Sequence, residues 1–173
     1  QTGCGATGTF WAHEQWNLES PPDFVTFAKK MQASGFYSRP EFRASHPFRL
    51  YNTWMGDPLR MLQLGVVLDT IEKDRLLNVV QTAGSSIMTG LHEMRTEFPD
   101  QVKNIRGSGT FVAFDAANAT ERDSLLDQLR QHGAHMGGCG DRSIRMRPSL
   151  IFSRRHTAEF LSILEKALIS RQK

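Results

Sequence analysis

Asp23-Phe24-Val25-Thr26-Phe27-Ala28-Lys29-Lys30 is the stretch on which the fold turns. Phe24 to Ala28 is a short run of β-favouring and apolar residues, the pattern of a buried strand. A lysine pair stands directly at its carboxyl end, where open α/β sheets place their reactive side chains. Taken alone, Lys29-Lys30 reads equally as a solvated basic pair, so its meaning depends on what flanks it.

Upstream, residues 1–9 (QTGCGATGT) are rich in Gly and Thr and read as a flexible loop that lets backbone approach a ligand or another subunit. Gly3-Cys4-Gly5-Ala6-Thr7-Gly8 is a literal GxGxxG, and Asp23 follows Gly3 by 20 residues, the spacing of a dinucleotide fingerprint. The context excludes that reading: no strand precedes the loop, no amphipathic helix follows it, and Asp23 leads into a strand instead of ending one. A Walker loop is excluded because Thr9-Phe10, not Lys-Ser/Thr, follows Gly8.

Downstream, residues 31–56 look irregular, broken by Gly35, Pro40, Pro47 and Gly56. Asp57-Pro58 then signals a helix start, a capping carboxylate with proline in the first turn. Leu64, Val67, Leu68 and Ile71 hold the spacing of a buried helix face. A second helix is expected from about Lys73 to Phe98, its stripe being Leu76, Val80, Ala83, Ile87, Leu91 and Met94, with Pro99 ending it. Thereafter the pattern shortens. Thr110–Phe114 reads as a strand, Thr120 with Asp123 as a capping box opening a helix to about His132, and Gly133 as its stop. Ala134–Gly140 suggests a short strand and turn. Ser143–Arg147 suggests a strand alternating Ile144 and Met146 against Arg145 and Arg147. Thr157 would cap a last helix with Phe160, Ile163, Leu164, Ala167 and Leu168 on its apolar face. This β–α–β–β–α order predicts a small α+β domain.

The 173 residues carry 21 basic and 18 acidic side chains, a net charge of +3 spread along the chain. That leaves no electrostatic footprint for nucleic acid or a membrane surface, and no apolar run approaches the ~18 residues of a spanning helix. Cys4 and Cys139 lack metal-binding or CxxC spacing and read as reduced thiols of an intracellular protein. No histidine has a metal-ligand partner at suitable spacing, so no metal is expected. The opening Gln1-Thr2-Gly3 looks like the middle of a longer polypeptide. Mitochondrial matrix and cytoplasm both remain open as its compartment.

Five motifs then fall in register: Gln1-Thr2-Gly3, Phe10-Trp11-Ala12-His13-Glu14, Phe27-Ala28-Lys29-Lys30-Met31, Asn52-Thr53-Trp54-Met55-Gly56-Asp57-Pro58, and Gly137-Gly138-Cys139-Gly140-Asp141 leading into Ile144-Arg145-Met146-Arg147-Pro148. Together they resemble the eukaryotic 4-aminobutyrate type of class III pyridoxal-phosphate-dependent aminotransferase, over essentially the whole chain. The resemblance implies an α/β fold: the end of a fold type I cofactor-binding large domain (1–56), linking helices (57–98) and a small C-terminal α+β domain (99–173). It implies pyridoxal 5'-phosphate as cofactor, small amino and oxo acids as substrates, and a homodimer whose sites are shared across subunits. Lys29 matches the lysine that forms the Schiff base, and Gln1 the glutamine at the phenolic oxygen of the cofactor ring. Thr53 matches the threonine that reaches the neighbouring subunit's cofactor phosphate, and Arg145 the arginine at the substrate carboxylate. Tyr51 stands where an aromatic lines the substrate pocket, and Cys139 lies on the loop beside it. The residue pairing the pyridine nitrogen, the phosphate loop, the switch glutamate, the first substrate arginine and the iron–sulfur cysteines of animal enzymes would all lie upstream. The implied reaction moves the amino group of 4-aminobutyrate to 2-oxoglutarate. An ornithine or β-alanine enzyme, or a truncated non-catalytic piece, are the rivals.

The chemistry suits these residue types. A transaminase lysine acts as an unprotonated amine toward an aldehyde and then moves a proton, and both tasks require a lowered pKa. A guanidinium presents a planar fork to a carboxylate.

Overall fold

The computed structural model describes residues 2–171. Gln1, expected at the cofactor ring, lies outside them. The chain builds two apolar cores joined by one long helix. Strand β1 (Phe24–Phe27) pairs antiparallel with β2 (Gly35–Ser38), Phe24 opposite Ser38 and Phe27 opposite Gly35. Helix α1 (Pro58–Lys73) and helix α2 (Leu76–Glu97) follow. The remainder is β3 (Lys103–Ser108), β4 (Phe111–Asp115), α3 (Ala119–Gln131), β5 (Gly137–Cys139), β6 (Ser143–Met146) and α4 (Arg154–Ser170). The last four strands form one antiparallel sheet in the order β3-β4-β6-β5.

The C-terminal sheet obeys the two-residue period closely. Val112 faces Met146 and Phe114 faces Ile144 across β4 and β6, and all four are buried against α2, α3 and α4. Arg145 points the other way, between Ala113 on β4 and Gly137 on β5. Every member of the predicted α2 stripe is buried: Leu76 and Val80 join the N-terminal core, while Ile87, Leu91 and Met94 join the C-terminal one. Gly90 lets α4 approach, since a Cβ there would stand 2.3 Å from Leu161 Cδ1.

Several local expectations need correction. β1 is not buried among the described residues; Phe24 is 51% exposed and the strand has one neighbour only. Residues 31–56 are not wholly irregular, because they contain β2. The final domain begins with two strands, β3 and β4, so its order is β–β–α–β–β–α. α3 is capped by Asn118, whose side chain accepts from Glu121 N at 2.9 Å, and not by Thr120. α4 starts after Ser153; Thr157 is buried one turn inside and donates its hydroxyl to Ser153 O. Asp57 does cap α1, accepting from Leu59 N at 2.9 Å. Of the predicted α1 face only Ile71 is buried; Leu64 and Val67 are half-buried and Leu68 is exposed.

The glycine loop is the largest departure. Residues 3–8 are buried, not flexible, and they dock on their own chain. Gly84 of α2, Gly109 in the β3–β4 turn and Ala6-Thr7 meet backbone to backbone: a Cβ on Gly84 would lie 2.3 Å from Gly109 O, and one on Gly109 2.5 Å from Ala6 O. Thr110 N donates to Ala6 O at 3.0 Å, Gln81 Nε2 to Gly8 O at 2.6 Å and Ser108 Oγ to Thr7 O at 2.9 Å. Buried carbonyls are thereby satisfied by the groups that hold the loop in place. No helix among the described residues is long and apolar enough to cross a membrane.

Candidate functional site

Docking of the glycine loop creates a cleft. Its walls are Thr2, Gly3 and Cys4 from the loop, Ala28, Lys29 and Lys30 from the end of β1, and Arg147, Pro148 and Ser149 from the segment after β6, enclosing about 150 Å³. Lys29 opens a single helical turn (Lys29–Met31) and has left-handed backbone, φ 60°. For a non-glycine residue that conformation is uncommon and is kept only where surroundings impose it. The turn is anchored by Met31, which is fully buried in the N-terminal core with Cys4, Ile71 and Leu76. Lys29 itself is exposed toward the cleft, while Lys30 is half-buried. Burial, and then the charge of Arg147, push the Lys30 ammonium below the ordinary lysine range, with Cys4 acting weakly in the opposite sense.

A second cavity of about 450 Å³ adjoins the first through Arg147 and Pro148, which line both. Arg145, His135, His156 and Glu159 contribute its polar wall, and Met136, Met146 and Phe152 its apolar one. Lys29 and Arg145 therefore lie on neighbouring cavities with Arg147 between them. Cys139 is a free, exposed thiol and the last residue of β5 rather than part of a loop; it lines neither cavity. Tyr51 and Thr53 sit on the exposed segment before α1, away from both cavities. Sequence reasoning missed the cleft-lining role of Lys30 and Arg147, which are 117 positions apart; alternation along β6, placing Arg147 on the Arg145 side, was the one available signal. Among the described residues no group of three or more His, Cys, Asp or Glu is arranged to hold a metal.

The exposed Lys29 amine suits an aldehyde cofactor, and the cleft it lines also carries two further cations, Lys30 and Arg147, with the hydroxyls of Thr2 and Ser149. The family profile for class III aminotransferases matches residues 1–168. The chain belongs to the class III aminotransferases. It is 49% identical over 168 residues to the 4-aminobutyrate aminotransferase of Dictyostelium discoideum and 44% identical over 168 residues to the mitochondrial 4-aminobutyrate aminotransferase of Homo sapiens, covering 97% of this chain in each case. It spans only 34% of the length of either relative. The lysine aminotransferase of M. tuberculosis in its internal aldimine form superposes with a TM-score of 0.90 at 31% identity, over 98% of this chain and 40% of that one. A class III architecture thus accounts for the fold of the described residues.

Proposed function

We propose that the parent polypeptide is a pyridoxal-phosphate-dependent aminotransferase moving the amino group of 4-aminobutyrate to 2-oxoglutarate, giving succinic semialdehyde and glutamate. The observation that carries this reading is the position of Lys29. It stands at the carboxyl end of β1, held in a left-handed turn at the mouth of a cationic cleft, in a chain 44–49% identical to 4-aminobutyrate aminotransferases. When bound, pyridoxal phosphate supplies an electron sink for the substrate's carbon–hydrogen bond cleavage.

The residues of this chain divide the remaining work. Lys29 would hold the cofactor through Nζ and would carry the proton that leaves the substrate at that same atom. Arg145 receives the carboxylate end of the substrate; its cross-strand neighbours are the small residues Ala113 and Gly137, and it lines the larger cavity. Cys139 and Tyr51 border the substrate region in the assembled enzyme. Gln1 orients the ring. Thr53 donates to the cofactor phosphate of a second copy, a role supported by its exposure on a segment rich in uncovered apolar side chains. We assign residues 1–56 to the large domain, 57–98 to the linking helices and 99–173 to the small domain. The human relative is a mitochondrial enzyme, which favours the mitochondrion over the cytoplasm for the parent.

Likeness to a lysine aminotransferase favours one alternative, a class III enzyme for another ω-amine such as ornithine or β-alanine. Single-turnover half-reactions of the full-length enzyme separate these readings: rapid cofactor conversion by 4-aminobutyrate and slow conversion by lysine, ornithine and β-alanine is expected, and the reverse order overturns the substrate. In the same assay Arg145→Lys should weaken the 2-oxoglutarate half-reaction by about 1–3 kcal/mol. Equal losses in both halves with a lower Tm would make Arg145 structural.

A further inference from the structure

Lys30 and Arg147 share the cleft beside Lys29, and its lining includes no aspartate or glutamate. Among the described residues neither makes a hydrogen bond or an ion pair with a carboxylate, whereas Arg106, Arg122, Arg142 and Arg171 each do. Their position is built, not incidental. Lys30 is fixed by Met31 in the N-terminal core; Arg147 by Met146 and Leu150, buried on either side of it in sequence. Two cations lining one cleft repel each other: burial lowers the pKa of Lys30 most, and the charge of Arg147 lowers it further. An anion entering the cleft relieves that repulsion, although Arg147 itself is exposed. A guanidinium fork and an ammonium together match the two oxygens of one carboxylate.

We propose that Lys30 and Arg147 form a carboxylate-binding pair beside Lys29, in addition to Arg145. This rests on the aminotransferase reading only for the identity of the free ligand. The carboxylate comes either from a side chain in the portion of the parent outside this chain or from a free amino or oxo acid. Neutralising either cation removes the pair in both cases, but the consequences differ.

The test uses the full-length parent with Lys30→Gln, Arg147→Gln and the charge-preserving Arg147→Lys, read by thermal melting and by calorimetric titration with glutarate. For a free carboxylate, both Gln variants should raise the glutarate Kd about tenfold or more and lose most of the glutarate-induced Tm shift, their ligand-free Tm being unchanged or higher. For a protein carboxylate, both Gln variants should lower the ligand-free Tm by several degrees, about what loss of one charged contact gives, with Arg147→Lys recovering part of it and glutarate affinity kept. The proposal is overturned if both Gln variants keep the parent's glutarate Kd and melt at or above its temperature. It is equally overturned if Arg147→Lys falls as far as Arg147→Gln while Lys30→Gln changes nothing, since that is lost packing. Borohydride reduction of the same variants keeps this apart from the cofactor assignment: pyridoxyl on Lys29 in all of them leaves the aminotransferase reading standing whatever the glutarate result.

Discussion

The layer from α2 to α4 is poorer in apolar residues than the segment from Phe48 to Leu68, yet the two treat them in opposite ways. In the first, Phe114, Ile144, Leu125, Leu129 and Leu164 are at most 1% exposed. In the second, Phe48 is 88% exposed, Trp54 80%, Leu62 71% and Val66 66%. A soluble surface seldom leaves so contiguous an apolar face open. The first region is finished by this chain's own helices. The second is a face prepared for something else, which fits a chain spanning about a third of its relatives' length.

Breaking the finished region should have the largest effect. Phe114→Ala removes a fully buried ring at the centre of the sheet and is expected to cost about 4 kcal/mol, seen as lost hydrogen-exchange protection across β4, β6 and α4 in the full-length protein. Gly84→Ala, which drives a Cβ into the Gly109 carbonyl, should cost about 2–3 kcal/mol. Its mark is loosened exchange in residues 3–8, because the glycine loop and the cleft it forms separate from α2. Unchanged exchange there would mean the three-backbone contact does not hold the loop.

Asp115 sharpens the comparison through pH. Burial pushes its carboxyl up, but hydrogen bonds from Ser143 (2.6 Å), Asn104 (3.0 Å) and Arg106, with the charge of Arg106, outweigh this and hold it below the ordinary carboxylate range. A folded pKa below the unfolded one means the stabilisation is complete above about pH 4 and is lost as pH falls. Urea midpoints measured from pH 6 to pH 3 should therefore decline in the parent, and more gently in Asp115→Asn. At the exposed face the effect should be least: Leu62→Ser should alter the stability of this chain alone by about 0.5 kcal/mol or less, while weakening the homodimer proposed for the full-length enzyme.

What the sequence revealed follows the same division. The α2 stripe and the Ile144/Met146 alternation were legible because burial within the chain enforces a period. β2 was hidden because Gly35 opens it and its two aromatic rings adjoin, giving no alternation. β3 was hidden because Lys103-Asn104-Ile105-Arg106-Gly107-Ser108 is polar, bulged between Lys103 and Arg106, and bent at Gly107 (φ 136°). The face read into α1 has the right spacing but is only partly covered among the described residues: Ile71 joins the N-terminal core, Leu64 and Val67 pack against it, and Leu68 stays exposed. Lys29 and Arg145 were reached through motif resemblance. Lys30 and Arg147 come to one cleft only in the folded chain, and the alternation along β6 pointed to Arg147 alone.

The proposed assignment of Lys29 rests on its motif and its place at the end of β1, and it can be tested directly. Full-length enzyme loaded with pyridoxal phosphate, reduced with borohydride and digested should carry the pyridoxyl group on Lys29 in the peptide spanning Phe27 to Met31. The group on Lys30, or on no residue of that peptide, would contradict the assignment of this cleft as the cofactor's attachment point.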